Sequence, residues 1–307
     1  MPDIKGCKCG SAAVYMRKHE GRPYCGECFS GQIEKTLKQI IRENRLIKPG
    51  DKIAVALSGG KDSASLLHML KKYEKAFHIS LLAITVDEGI KGRCEHALAA
   101  AQNLTSQLDI EHHIFSFENE FGIRIDNIKE RIHGSKINYC TYCGVLRRYL
   151  LNRKARELGA NKLAVGINLD DEAESIFMNF LRGDFSQFQR LGANPIMIED
   201  SKFAARIKPL RNIYETEIEF YAELNKIPFY KAKCVMPTST IRWDVRDILD
   251  GLEKQRPGTK LQIVSFYDKL RPLIAKQSGK QLNYCKCGEP TSQEVCRACE
   301  LLKSIKK

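Results

Sequence analysis

The stretch best suited to chemistry is six residues long: Ser58-Gly59-Gly60-Lys61-Asp62-Ser63. It follows a short apolar run at 53–57, which predicts a strand, and precedes a leucine-rich pattern that predicts a helix. Glycines let a backbone turn tightly around an anion, and the amides that open a helix point at that anion. This context predicts a phosphate site, to which Lys61 adds a positive charge. The spacing differs from the Walker pattern, which has four residues between its glycines.

A second, acidic segment could serve the same phosphates. Asp170 and Asp171 follow Gly166 and Asn168, just after another predicted strand. The pair has a structural interpretation, because acids in the first turn of a helix stabilise that helix. In the functional interpretation, one carboxylate lies near Mg²⁺, near the pyrophosphate or near the reacting base. The residues alone leave both interpretations open.

Eight of the twelve cysteines form two similar modules, one near each end of the sequence. Each module begins with Cys-Lys-Cys-Gly and ends with a C-x2-C pair. Two thiolate pairs on separate turns suit tetrahedral zinc, and segments this short need metal for much of their folding free energy. The predicted zinc ligands are Cys7, Cys9, Cys25 and Cys28 in the first module, and Cys285, Cys287, Cys296 and Cys299 in the second.

A third pair, Cys140 and Cys143, lies just before a basic helical pattern at 145–158. A position near a helix start gives such thiols thiolate character. A redox disulfide, half of a zinc site and part of an iron–sulfur cluster all fit the pair, and Cys234 could supply a third thiolate. Three thiolates on a four-iron cluster leave one iron open, as reactive metal sites require. Cys94 has no partner in the sequence, so a buried structural role is expected.

The scaffold for these residues is predicted from alternating patterns. Predicted strands at 53–57, 78–86, 111–117 and 162–167 alternate with helical stretches. The fold class is therefore α/β, with a doubly wound parallel sheet whose ligands lie outside the carboxyl ends of the strands. The residues that we predict to bind a ligand along this rim, which the family resemblance described below implies to be ATP, are Ala56, Ser58, Gly59, Gly60, Lys61, Asp62, Ser63, Asp87, Ile90, Gly166 and Asp171.

The predicted domain organisation has three parts. Residues 1–30 form the first zinc module, 31–275 form the catalytic domain with a helical C-terminal part, and 276–307 form the second zinc module. In the helical part, patterns at 214–226, 241–254 and 260–273 predict three helices.

Composition limits the partners and the compartment. Lys and Arg number 50 against 37 Asp and Glu, an excess of 13 that favours a polyanion such as nucleic acid. No run of 18 apolar residues predicts a membrane span, and residues 1–10 lack the apolar core of a signal peptide. We therefore expect a cytoplasmic protein, in which cysteine-rich segments indicate metal or redox chemistry rather than disulfides.

These motifs together resemble one family. S-G-G-K-D-S at 58–63 matches the PP-loop of ATP pyrophosphatases, whose fold is that of the adenine nucleotide alpha hydrolases. The whole chain is similar to the archaeal and eukaryotic type of tRNA 2-thiouridine synthetase, the TtuA and NcsA group. The shared features include C-T-Y-C-G at 140–144, N-L-D-D-E-A at 168–173, R-I-K-P-L at 206–210, Cys234 and both terminal modules.

The resemblance implies an ATP-dependent tRNA sulfurtransferase. The C2 oxygen of a tRNA uridine attacks the α-phosphate of ATP, pyrophosphate leaves with Mg²⁺ assistance, and a sulfide then displaces AMP. Family members bind a [4Fe–4S] cluster that offers this sulfide an open iron, and the cluster's three cysteines correspond to Cys140, Cys143 and Cys234. The catalytic residues that we assign are Asp171, Arg147 and Lys61. Arg147 stays charged, which confines it to binding phosphate or tRNA.

Two positions depart from the family pattern. Ile167 stands where many relatives have histidine, and Val235 follows Cys234 where several relatives have proline. The uridine must leave its stack to reach the site, and basic side chains would hold the RNA backbone. The candidates for these backbone contacts are Arg147, Arg148, Arg153, Lys154, Arg206 and Lys208.

The sequence leaves several alternatives open. The sulfur donor is a ubiquitin-like carrier protein or inorganic sulfide, the target is the wobble or the T-loop uridine, and a homodimer is expected from relatives. A tRNA cytidine 2-thiolase of the same superfamily would share the cluster but typically lacks paired zinc modules. A lysidine synthetase needs no iron. A zinc-dependent tRNA adaptor without catalysis is opposed by the intact S-G-G-K-D-S loop.

Overall fold

The computed structural model describes residues 6–132, 137–193, 204–231, 241–275, 283–291 and 293–305. The strands in these ranges are β1 (Tyr15–Arg17), β2 (Arg22–Tyr24), β3 (Lys52–Ala56), β4 (Ser80–Asp87), β5 (His112–Ser116), β6 (Lys162–Ala164), β7 (Ala205–Ile207), β8 (Asn283–Tyr284) and β9 (Pro290–Thr291). The helices are α1 (Gly26–Glu43), α2 (Lys61–Phe77), α3 (Cys94–Leu108), α4 (Phe117–Phe121), α5 (Ile125–Arg131), α6 (Tyr139–Glu157), α7 (Leu169–Leu181), α8 (Phe185–Phe188), α9 (Glu215–Leu224), α10 (Ile241–Gln255), α11 (Thr259–Ala275) and α12 (Arg297–Ile305). No helix of the described ranges is both long and apolar enough to cross a bilayer.

The central sheet has five parallel strands in the order β5-β4-β3-β6-β7. The chain builds outward from β3 to β5 in one direction and then from β6 to β7 in the other, so the order reverses between β3 and β6. Open α/β sheets bind ligands at such a reversal, outside the carboxyl ends of the strands. The predicted doubly wound parallel sheet is confirmed.

The apolar strands are covered on both faces, as parallel sheets require. On one face, Ile53 and Val55 pack in a core with leucines of α2, including Leu66 and Leu70. On the other face, Ala54 packs with residues of α6. The helices α7, α10 and α11 share a separate core at the side of the sheet.

Two boundaries differ from the predicted ones for local reasons. The fourth strand starts at Ser80 rather than at 78, because His78 adopts a left-handed conformation (φ 51°) that ends α2. Helix α6 starts at Tyr139 rather than at 145, because the Asn138 side chain accepts a hydrogen bond from the Cys140 N–H and caps the helix there. The central cysteine pair therefore lies within the first turn of α6.

The terminal modules pack on two different elements of the catalytic domain. In the first module, the Tyr15 ring contacts the Phe220 ring of α9 at 4.9 Å, and Arg17 donates to Glu217 at 2.7 and 3.1 Å. In the second, residues of α12 share a core with Tyr142 of α6. Each module therefore fixes one helix next to the sheet, while the domain boundaries at 30 and 275 stay a prediction.

A buried ion network holds α7 against β7. Lys208 and Arg211 both donate to Glu172 of α7, and Arg211 also donates to Asp268 at 2.6 Å. Lys208, Arg211 and Glu172 are at most 3% exposed. Burial lowers the pKa of Lys208, although Glu172 opposes that effect. Such a network fixes the start of α7, where the predicted acidic residues lie.

Removal of Lys208 should weaken the fold strongly. Lys208→Met leaves the buried Glu172 with one cation instead of two, so the free energy of unfolding should fall by about 3 kcal/mol in denaturant titration. Lys231→Met is the matched control, because Lys231 pairs with Glu219 in solvent and should leave the unfolding midpoint unchanged. Equal, small effects of the two substitutions would contradict this role for the network.

Candidate functional site

The backbone conformation of the loop after β3 is fixed by the loop's own serines and glycines. The Ser63 hydroxyl donates to the Gly60 carbonyl at 3.1 Å and accepts from the Ser58 N–H at 3.1 Å. Gly59 adopts φ +75°, and a Cβ on it would lie 2.0 Å from the Ala97 carbonyl oxygen. Because Gly60 is the N-cap of α2, the first amides of the helix face the space in front of the loop.

The rim after β6 lies directly against this loop. A Cβ on Gly166 would lie 2.8 Å from the Ser63 nitrogen, so only glycine permits this approach. Asn168 accepts from the Asp171 N–H at 3.0 Å, and the Asp171 carboxylate accepts from the Asn168 N–H at 3.3 Å. The Asn168 amide also donates to Asp62 at 3.0 Å. One asparagine thus caps α7 and ties the acids of both segments together.

A cavity of about 880 Å³ opens in front of both segments. That volume is near the upper end for small-molecule sites and leaves room for a nucleotide and a base. The predicted site residues that line the cavity are Ala56, Ser58, Asp62, Ser63, Asp87, Arg147, Gly166 and Asp171. Of the other predicted ATP-site residues, Gly59, Gly60, Lys61 and Ile90 lie outside this lining.

Lys61 is engaged by acids beside the cavity. Its ammonium group lies 2.7 Å from Glu215 of α9 and 3.3 Å from Asp62. Burial disfavours the charged amine, but the two carboxylates outweigh it and raise the pKa of Lys61. Lys61 therefore stays charged at neutral pH, and its ion pairs compete with any bound phosphate.

The acids at the cavity carry poorly balanced negative charge. Burial, and then the neighbouring Glu174, raise the pKa of Asp171 to about 6. Burial also raises the pKa of Asp62, despite the nearby Lys61. Two carboxylates that repel one another beside a phosphate loop are suitable oxygen ligands for Mg²⁺. Asp171 therefore caps α7, as the structural interpretation expects, and also lines the cavity, while its role beside Mg²⁺ or the reacting base stays a prediction.

Sequence reasoning missed a buried carboxylate that positions Arg147. Glu88, only 5% exposed, accepts from Arg147 at 3.0 Å and lies 3.8 Å from Arg93. The Cys94 thiol also donates to Glu88, at 3.7 Å. The signal was available, because Glu88 directly follows Asp87 at the carboxyl end of β4.

Cys94 lines the same cavity and is half-buried. Burial, opposed by the Ile90 N–H but reinforced by Glu88, raises the pKa of Cys94 to about 12. Its thiol is therefore protonated at neutral pH, in agreement with the structural role expected of it.

The central cysteines lie within the first five residues of α6, and neither belongs to the lining of the cavity. Cys140 is exposed, Cys143 is half-buried, and Thr141 between them lines the cavity. A spacing of three residues places both thiols on one side of the helix. Two adjacent thiols at a positive helix end suit an iron–sulfur or zinc site. Cys234, the predicted third ligand, lies outside the described residues.

The six basic residues predicted to contact RNA fall into distinct groups. Arg153 and Lys154 form ion pairs with Glu157 and Glu120 on the surface of α6. Lys208 belongs to the buried network described above. The residues that line the cavity without such pairing are Arg148 and Arg206, whereas Arg147 lines it while bound to Glu88.

The terminal cysteines form two compact clusters of four thiols each. In each group of four, the Sγ atoms all lie within 4.8 Å of one another. Zinc–sulfur bonds of about 2.3 Å would place tetrahedral thiolates about 3.8 Å apart, so both clusters fit zinc. In the second cluster, backbone N–H groups of Cys287 and Cys296 lower the pKa of Cys285 to about 6, which favours the thiolate. These eight predicted ligands are thus brought together as expected.

Comparisons with known proteins agree with this geometry. Residues 29–249 match the PP-loop domain family. The tRNA 2-thiolation protein NcsA of Haloferax volcanii is 36% identical, and the match covers 97% of this chain and 98% of that protein. Cytoplasmic tRNA 2-thiolation protein 1 of Drosophila sechellia is 35% identical, with 100% and 89% covered.

A solved structure has the same fold over nearly its whole length. The U34-tRNA thiolase NcsA from Methanococcus maripaludis, which was solved with its [4Fe–4S] cluster, matches with a TM-score of 0.84 and 34% identity. The match covers 99% of this chain and 97% of that one. The family resemblance predicted from the motifs is confirmed.

Proposed function

Because the chain belongs to the PP-loop family and, within it, to the tRNA 2-thiolation proteins, we propose that it converts a tRNA uridine to 2-thiouridine. The overall reaction consumes ATP, hydrosulfide and the uridine, and it yields the thiolated base, AMP and pyrophosphate. The single observation that supports this proposal best is the cavity. Its lining includes the phosphate loop, a pair of acids and Thr141, which lies between the two central cysteines at the start of α6.

The loop and the first amides of α2 would bind the leaving pyrophosphate. Their N–H groups and the helix dipole stabilise the charge that develops as the bond to the α-phosphate breaks. Ser58 and Ser63 keep the loop in this shape before ATP arrives. A uracil oxygen is a poor leaving group, so adenylation is the step that makes its later displacement feasible.

Asp62 would hold Mg²⁺ against the phosphates, where the ion would supply positive charge to the leaving pyrophosphate. Asp171, as a carboxylate without metal, is suited to accept the N3 proton of the uracil, since its pKa of about 6 leaves it ionised at neutral pH. Loss of that proton makes the C2 oxygen a better nucleophile towards the α-phosphate. Arg147, oriented by Glu88, would bind phosphate on the other side of the cavity.

Cys140, Cys143 and Cys234 would hold an iron–sulfur cluster, whose role when bound is to offer one open iron to a hydrosulfide. The start of α6 places both described thiols beside Thr141, which lines the cavity, and Cys143 near Arg148. The uridine C2 must therefore lie between this turn and the phosphate loop.

Release of AMP in the presence of tRNA tests the proposal directly. Anaerobically purified protein with bound iron, ATP and hydrosulfide should release AMP only when tRNA is present, and the tRNA should gain one sulfur. A zinc-dependent adaptor would bind tRNA without releasing AMP. Tight tRNA binding with no AMP release would therefore contradict catalysis.

The pH dependence should follow Asp171. Its pKa of about 6 lies above that of an ordinary carboxyl, so the folded protein holds the proton to higher pH than the unfolded chain does. This group therefore favours folding at low pH and loses that contribution as pH rises through about 6. Adenylation needs the carboxylate, so AMP release should rise through the same range. Asp171→Asn should lower it ~100-fold or more above pH 6 and flatten the profile, whereas a flat wild-type profile would contradict this role.

Finer features stay predictions of this proposal. We propose two bound zinc ions as structural elements, tRNA as substrate and a homodimer in the cytoplasm. The donor, whether a ubiquitin-like carrier or inorganic sulfide, is open. The wobble uridine is the target in the solved relative, and this chain is proposed to act at the wobble or at the T-loop position.

A further inference from the structure

Two arginines line the same cavity without a carboxylate ion pair from the part of the chain that the structure describes. Arg148 comes from α6 and Arg206 from β7, and both line the cavity. Within the described residues, neither guanidinium forms an ion pair with a carboxylate. Burial and the charges of Arg206 and Arg147 lower the pKa of Arg148 to about 10. Burial likewise lowers the pKa of Arg206. Unbalanced cations in a shared pocket are costly unless an anion joins them.

The position of Arg148 depends on the glycine one turn before it. A Cβ on Gly144 would lie 3.3 Å from one terminal nitrogen of Arg148, so the side chain folds back along α6 towards Cys143. The Arg148 guanidinium therefore lies near the N-terminus of α6, where the helix dipole is positive, and not near the C-terminus, where the dipole would stabilise a cation. That orientation is unfavourable for the isolated protein and favourable for binding an anion.

The two cations of the R-I-K-P-L segment, Arg206 and Lys208, have different roles. Strand periodicity places Arg206 and Lys208 on the same face of the sheet. Glu172 is the carboxylate whose charge acts on Arg206, but it already accepts hydrogen bonds from Lys208 and Arg211. Lys208 thus completes the buried network, and Arg206 remains available to a ligand.

We propose that Arg148 and Arg206 bind a phosphodiester of the tRNA beside the uridine that enters the cavity. This inference rests on the proposed function, since it names how the same site holds its substrate. A pair of guanidinium forks is well matched to the two unesterified oxygens of a phosphodiester.

The phosphates of ATP fit these arginines less well. The loop amides and the start of α2 already provide a phosphate site. Arg206 is in register with Leu163 of β6, which is in register with Ala54 of β3, so Arg206 lies two strand spacings, or about 10 Å, from β3. Arg148 instead lies next to Cys143, where the reacting base must be. The phosphate closest to that base is the one in its own nucleotide.

The test compares binding of an unmodified tRNA transcript and of a non-hydrolysable ATP analogue. Arg148→Gln and Arg206→Gln are measured singly and together in the full chain, with Arg42→Gln, an exposed arginine in the last turn of α1, as the matched control. The double variant should bind tRNA about tenfold more weakly, with a salt-dependence slope smaller by about 1, while its affinity for the ATP analogue stays within twofold. Arg42→Gln should change neither affinity by more than twofold.

Thermal unfolding separates binding from a structural role. Because these charges lack carboxylate partners, Arg206→Gln should leave the midpoint unchanged or raise it. A lower midpoint together with unchanged tRNA affinity would overturn the proposal. So would a loss of affinity for the ATP analogue alone, which would assign the arginines to the nucleotide. A wild-type protein that fails to bind tRNA would instead overturn the proposed function, and the site inference would fail with it.

Discussion

Gly59→Ala is expected to reduce tRNA-dependent AMP release at least ~100-fold, with a comparable loss of ATP affinity. The new Cβ would lie 2.0 Å from the Ala97 carbonyl oxygen, and the residue would keep an unfavourable φ of +75°. The loop must move away from α3 to relieve this overlap. A displacement of about 1 Å in a phosphate site lowers the reaction rate about 100-fold, because in-line attack depends on precise positioning.

The chain offers a matched control for this substitution. Gly50 also has a positive φ, +86°, but no atom lies within 4 Å of its hypothetical Cβ. Gly50→Ala should therefore lower stability by about 1 kcal/mol and leave AMP release unchanged. The two measurements are the initial rate of AMP formation and the affinity for an ATP analogue. Equal activity of Gly59→Ala and Gly50→Ala would mean that the loop does not hold ATP.

Cys140→Ala is expected to lower the rate of 2-thiouridine formation at least ~100-fold, while the affinity for ATP stays within twofold of the wild-type value. The thiol is exposed in the first turn of α6 and is not part of the phosphate loop. Loss of one predicted ligand should also remove most of the iron, because the metal is bound by the complete set of thiolates. Zinc content should be unaffected, because the eight terminal cysteines form separate clusters.

Cys94→Ala provides the comparison for that experiment. Cys94 is a half-buried thiol at the same cavity, but its raised pKa of about 12 makes it a poor metal ligand. Its removal should leave iron content and thiolation within about twofold. An iron-replete, active Cys140→Ala protein would remove Cys140 from the proposed cluster site. Iron loss in Cys94→Ala as well would indicate that the cavity thiols act together.

The sequence predicted the features that depend on local spacing. The phosphate loop, the parallel sheet and the two terminal cysteine clusters each follow from residues close together in the chain, and the structure confirms their geometry. Asn168 was predicted only as part of a motif. The hydrogen bond from its side chain to Asp62 depends on β3 and β6 being neighbours in the sheet. No residue spacing in the sequence predicts that contact.

Other features depended on tertiary contacts. Six basic side chains were equivalent by composition, yet the fold pairs Lys208 with Glu172 and leaves Arg206, two residues earlier, facing the cavity. Arg147 acquires its orientation from Glu88, which is distant in sequence. The position of Cys234 relative to the pair on α6 lies outside the described residues, so its assignment still rests on the family resemblance.

An oxygen-labelling experiment tests the central claim, that one cavity activates the uridine with ATP before sulfur replaces its oxygen. A tRNA carrying ¹⁸O at C2 of the target uridine is incubated with ATP, hydrosulfide and the iron-loaded protein, and the products are analysed by mass spectrometry. The uridine oxygen should appear in the phosphate of AMP, with one label for each 2-thiouridine formed. Unlabelled AMP together with thiolated tRNA, or release of ADP in place of AMP, would contradict adenylation of the base.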